Sequence, residues 1–160
     1  MTRTIISQQI SNTVATSIWT RLCDILKSKN FTIHNFRNLT YLKQILKKLK
    51  ISKQKRNYIY SLYSSMLKNE IDIRELLKMN EDQIINLMLK YKGIGPWTCN
   101  MALIFYFKKL NIFPENDLII KKINKKLNLI EKKEIDFRNH FSPFLSVLSL
   151  HLWKMSKRVL

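Results

Sequence analysis

Glycine occurs only twice in this chain of 160 residues, at Gly93 and Gly95, both inside "KGIGPW" (92–97). So little glycine leaves scant material for the tight turns that join antiparallel strands, and no pair of alternating segments carries a hairpin signal. Helical spacing is what recurs. "TVATSIWTRLCDILK" places Val14, Ile18, Leu22 and Ile25 at steps of three and four, "YLKQILKKLK" does so with Leu42, Ile45, Leu46 and Leu49, and "RNYIYSLYSSMLK" with Tyr58, Leu62, Ser65 and Met66. The predicted fold class is all-α. A hydrophobic fraction of 46% and a charged fraction of 25% fit a globular domain with a core.

The two glycines sit between two predicted helices. "NEDQIINLMLK" opens on Asn80 with Gln83 three residues on, a capping-box spacing. Pro96 suits the first turn of the next helix, where its missing N–H costs nothing, and "WTCNMALIFYF" continues it as a strongly apolar segment. Helix, hairpin and helix therefore cover about 80–107. Pro114 then marks a loop, and either Asn116 or Asp117 can cap a further helix. That helix contains the Lys-rich "KKINKKLNLIEKKE", which reads equally as a solvated face or as a phosphate-contacting one. "SPFLSVLSLHLWKMSKRVL" is a last amphipathic helix. With no repeat and no linker, residues 1–160 read as a single domain, within which two lobes are compatible with the length.

The formal net charge is +18, from 29 basic and 11 acidic residues. Such an excess favours a polyanionic partner, although Lys, Asn and Ile are abundant together throughout, as an AT-rich coding sequence would also produce. Cys23 and Cys99 lie far apart with no metal-ligand spacing around them, which argues against a metal or iron–sulfur site and for reduced thiols. The N-terminus lacks the apolar core of a signal peptide, and no apolar run approaches the roughly 20 residues of a membrane span. A soluble intracellular protein is expected.

A glycine turn between helices lets backbone approach a ligand without Cβ atoms in the way, and the following helix offers N–H groups at its start. Those are means of gripping a nucleic-acid phosphate, with Lys92 as a cation at the tip. A plain helix cap would also explain Gly93. The wider stretch "YKGIGPWTCNMALIFYF…FPENDLIIKK" resembles the helix-hairpin-helix and Gly/Pro-Asp signature of the base-excision DNA glycosylase superfamily (HhH-GPD), in its alkylbase, 3-methyladenine DNA glycosylase II branch. "RTIISQQIS", "ISKQKRNYIYSL" and "HFSPFLSVLSLHLW" resemble further segments of that branch in the same order, so the likeness covers nearly the whole chain.

The resemblance implies a two-lobed helical fold, shortened at the N-terminus, since the chain begins almost directly at "RTIISQQIS". It implies a monofunctional enzyme that flips damaged purines out of duplex DNA and hydrolyses the N-glycosidic bond. Asp117 corresponds to the carboxylate that stabilises the oxocarbenium-like sugar; a helix N-cap is the alternative role, the two are compatible, and Glu115 is the weaker candidate. Trp97, Trp153 and Met101 fall on base-pocket positions, or are core residues. Lys92, Gly93, Ile94, Gly95 and Thr98 fall on the DNA-binding hairpin, and Gln8 or, better, Gln9 on the wedge that fills the gap behind a flipped base. Bifunctional relatives of the endonuclease III type carry a lysine where this chain has Trp97, so no strand cleavage is expected. An arginine common in the branch is replaced by Leu145. No cofactor and no catalytic metal are implied; a monovalent cation at the hairpin backbone is the one structural ion to consider. The implied partner is double-stranded DNA containing damaged bases, bound by a monomer in a DNA-containing compartment such as the bacterial cytoplasm and nucleoid, with no membrane. A non-catalytic DNA-binding remnant is the competing reading, and a basic helical protein without a nucleic-acid role is the remaining one.

Overall fold

Side-chain oxygens start most of the helices. In a computed structural model, which describes residues 1–28, 38–68, 70–132 and 134–159, Asn38, Ser52, Asp72, Asn80, Asp117 and Asp136 each accept from a backbone N–H of the first turn that follows. Such caps satisfy amides that a helix start would otherwise leave unpaired. The Asn80–Gln83 capping box is present in both directions, 2.9 Å each way. No strand occurs among the described residues.

The chain divides into two compact units, Met1–Gly95 and Pro96–Leu160, so the division falls within the 80–107 hairpin. The first holds α1 (Thr2–Ser7), α2 (Asn12–Ser28), α3 (Leu39–Lys48), α4 (Lys53–Leu67), α5 (Ile73–Lys78) and α6 (Glu81–Met88). Helix α1 packs on α2 and α4, and α3 on α4. Its core includes Ile5, Ile6, Leu42, Ile45, Leu46, Leu49, Ile59 and Leu62, all buried. Removing one such aliphatic side chain costs about 2–5 kcal/mol.

Two helical faces differ from those that simple spacing predicts. On α2 the buried positions are Ala15 and Leu22, while Val14 is 48% exposed; the small alanine is the residue that admits close packing there. On α4 the inward residues are Ile59 and Leu62, with Ser65 and Met66 only half-buried. A β-branched residue one step from Tyr58 takes the core position, which leaves the tyrosine at its edge.

The second unit contains α7 (Pro96–Phe105), α8 (Leu118–Glu131), α9 (Phe137–Phe141) and α10 (Leu145–Val159). Helices α8 and α10 pack together through Ile120, Ile123 and Leu152, flanked by Phe113, Leu127, Leu148 and Trp153. Leu145, where an arginine is common in the alkylbase branch, is 2% exposed and therefore a core residue. Its neighbour Ser146 donates through Oγ to the carbonyl of Lys109 (2.7 Å) and accepts from the amide of Ile112 (3.0 Å). That pair of bonds ties the loop preceding Asp117 to the start of α10.

Candidate active site and DNA-contacting turn

Within the second unit, Asp117 is the N-cap of α8, and it is 7% exposed. Its Oδ1 accepts from the amides of Ile119 (3.0 Å) and Ile120 (3.1 Å). Two further donors come from tryptophans on other helices: Trp153 Nε1 of α10 reaches Oδ1 at 3.0 Å, and Trp97 Nε1 of α7 reaches Oδ2 at 2.8 Å. Among the described residues all four partners are N–H groups, so it is dipoles that balance the carboxylate charge. Oδ1, with three donors, has its lone pairs taken; Oδ2, with one, keeps a lone pair for another partner.

This geometry settles how Asp117 relates to its neighbours. The cap of α8 is Asp117 rather than Asn116, whose Oδ1 instead accepts from Lys121 Nζ at 2.9 Å. Glu115 is exposed and paired with Arg138 (Nε to Oε1, 2.6 Å). Trp97 and Trp153 are both half-buried, and Trp153 stacks on Phe105 with centroids 5.8 Å apart. Spacing did not indicate that the two indoles point their N–H groups at one carboxylate, because that convergence depends on how three helices pack. Met101 is 6% exposed and Thr98 2%, so these side chains lie in the interior of the protein. Cys99 is fully buried, which pushes its thiol up to about 11 and leaves it inert.

The turn belongs to the first unit. Its backbone closes through Tyr91 N to Met88 O and Ile94 N to Tyr91 O, both 3.1 Å. Gly93 has φ +87°, a conformation that L side chains rarely adopt. A Cβ there would also run into the ring of Tyr58. Gly95 has open space where its Cβ would stand. Ile94 is 6% exposed, so only its backbone is offered, whereas Lys92 is exposed. Gln8 is half-buried, and its Nε2 donates to the carbonyl of Gly93 at 2.7 Å. Gln9 is exposed, with φ +54°. The carbonyls of Met88, Tyr91 and Gly93 each accept a hydrogen bond. Among the described residues no group of three His, Cys, Asp or Glu could hold a metal.

A glycine turn leading into a helix, followed by a buried, N–H-bound aspartate, defines a helix-hairpin-helix protein. The family model described as HhH-GPD superfamily base excision DNA repair protein matches residues 2–144, and the chain belongs to this superfamily. Similar proteins include DNA-3-methyladenine glycosylase 1 of Schizosaccharomyces pombe, 26% identical over 167 aligned positions (97% of this chain, 70% of that one). Bacillus subtilis YfjP is 29% identical over 116 residues, 69% of this chain; the match spans 40% of YfjP. The solved structure of S. pombe 3-methyladenine DNA glycosylase (Mag1) in complex with abasic DNA shares the fold, with TM-score 0.76 and 22% identity over 98% of this chain and 78% of that one. No helix among the described residues is long and apolar enough to cross a membrane.

Proposed function

We propose that the chain is a monofunctional DNA glycosylase that removes alkylated purines such as 3-methyladenine from duplex DNA. The observation that carries this reading is the Asp117 carboxylate, buried and held by four N–H donors, two of them from Trp97 and Trp153. Relatives named DNA-3-methyladenine glycosylase support the substrate class.

Flipping the damaged nucleotide comes first, at a cost of a few kcal/mol that is smallest for a weakened pair. As the bond from C1′ to the base breaks, its electron pair leaves with the base; a base already cationic through alkylation departs neutral, and the sugar becomes the cation. Asp117 Oδ2, with its remaining lone pair, stabilises that cation and orients a water whose oxygen bonds to C1′. The water gives up a proton to solvent, leaving free base and an abasic sugar. Indole faces of Trp97 and Trp153 suit a cationic base by stacking and cation–π attraction. At position 97 an indole N–H bound to Asp117 stands where bifunctional relatives have an amine, so no Schiff base forms and the strand stays intact. DNA is held by the backbone of 93–95 and Lys92, with Gln9 as the wedge.

The test measures base released from alkylated duplex DNA by the wild type and by Asp117→Asn, with borohydride added to trap any Schiff base. Release by the wild type alone, with no trapped protein–DNA adduct, is expected. Salt-dependent duplex binding by a wild type that releases nothing would establish the non-catalytic remnant instead.

A further inference from the structure

The segment "ISKQKRNYIYSL" resembles a segment of the alkylbase branch, and the hydrogen bonds give that likeness a physical content. Ser52 caps α4, accepting from Lys55 N at 3.2 Å. One turn on, Lys55 Nζ donates to two carbonyls at the end of α1, Ile6 O at 2.8 Å and Gln8 O at 2.6 Å. An ammonium on the last carbonyls of a helix completes acceptors that the helix leaves unpaired. Tyr58, three residues further and on the same face of α4, lies against Gly93, while Ile59 is the core anchor. Gln8, held by its carbonyl from Lys55, uses its own side chain to hold the carbonyl of Gly93 at 2.7 Å.

We propose that Lys55 is a positioning residue: through Gln8 it joins the exposed, left-handed Gln9 and the Lys92–Gly95 turn into one hydrogen-bonded body, so that wedge and phosphate grip engage DNA in fixed register. This rests on the assignment of Gln9 and the turn to DNA contact. Two further features agree with it. Gln9 holds a φ of +54°, a left-handed conformation that strains a residue with a Cβ and persists only where its surroundings impose it. Lys55 is half-buried, and that burial lowers the pKa of its amine, so the ammonium is kept there at a desolvation cost that its two carbonyl partners offset. A residue needed only for solubility would keep its amine in water.

The experiment compares wild type, Lys55→Met, Lys55→Arg and Gln8→Ala by hydrogen exchange without DNA and by single-turnover base release from alkylated duplex. In Lys55→Met, faster exchange of the amides around 8–10 and 92–95 is expected, with exchange in α8 and α10 unchanged. Base release should fall about tenfold or more, the penalty of losing register rather than chemistry. Lys55→Arg, which keeps a cation with donors for both carbonyls, should recover most of the rate. Gln8→Ala should loosen 92–95 as much as Lys55→Met does, and the double variant no further, because both break one chain of bonds. Unchanged exchange at 92–95 in Lys55→Met, or additive losses in the double variant, would overturn the proposal. A wild type that releases no base defeats the glycosylase reading alone, since the exchange measurement still decides whether Lys55 positions the turn.

Discussion

The two oxygens of Asp117 are not equivalent, and the difference predicts how the site fails. Oδ1 is saturated by Ile119 N, Ile120 N and Trp153 Nε1, whereas among the described residues Oδ2 accepts only from Trp97 Nε1. Replacing either indole by a phenyl ring keeps an aromatic wall and deletes one donor. At Oδ1 two backbone amides remain to fix the carboxylate; at Oδ2 no other donor among the described residues replaces the indole. A hydrogen bond to a charged group is worth about 1.5–3 kcal/mol, so Trp97→Phe should slow single-turnover base release by about tenfold or more. Trp153→Phe should slow it less. Equal rates for the two variants, or a faster Trp97→Phe, would remove the oxygen-specific role of the Trp97 N–H. The aspartate itself was visible in the sequence as a possible helix cap. Its tryptophan donors were not, because residues 97 and 153 meet only through the packing of α7, α8 and α10.

Helix starts were the most legible elements, since Asn80 with Gln83, and Pro96 after Gly95, declare themselves by local chemistry alone. Buried faces were less so: the inward face of α2 is set by Ala15, a residue too small to stand out in a hydrophobic pattern, and that of α4 by Ile59 next to a tyrosine. The turn shows a sharper limit. Two glycines spaced by one residue look interchangeable in the sequence, yet Gly93 is required by φ +87° and by Tyr58, and Gly95 by neither. Gly93→Ala should therefore destabilise the fold by about 1–3 kcal/mol in urea unfolding, through backbone strain and displacement of the tyrosine. Gly95→Ala should alter stability by less than about 0.5 kcal/mol. If the backbone here approaches a phosphate, that same methyl group stands in open space where the ligand must come, and Gly95→Ala should weaken duplex binding while leaving the melting curve in place. A stable Gly95→Ala with wild-type affinity would show that the second glycine has no part in the grip.

Net charge describes the whole molecule without saying where a polyanion sits. Among the described residues the ion pairs include Lys68–Glu70, Arg74–Asp72, Lys78–Glu75 and Arg138–Glu115, all between exposed side chains. Such pairs contribute little stability, and because each holds one charge of either sign they leave the net excess of +18 as it is. A diffuse positive field attracts any polyanion and is screened beyond about 10 Å at ordinary ionic strength, whereas a lysine seated on one phosphate displaces a condensed counterion. The two are separated by the slope of log affinity against log salt. Lys92 is exposed at the turn and forms none of those ion pairs, so if it sits on a phosphate, Lys92→Gln should flatten that slope by about one and weaken binding to all duplex sequences alike. Removing a lysine that only adds to the field, such as the exposed Lys125 in α8, should lower affinity slightly and leave the slope nearly unchanged. Fluorescence anisotropy titrations of an undamaged duplex across a range of salt concentrations measure both. Identical slopes for Lys92→Gln and Lys125→Gln would mean that the charge of this chain acts as a field alone, and that the turn grips DNA through its backbone without help from the lysine beside it.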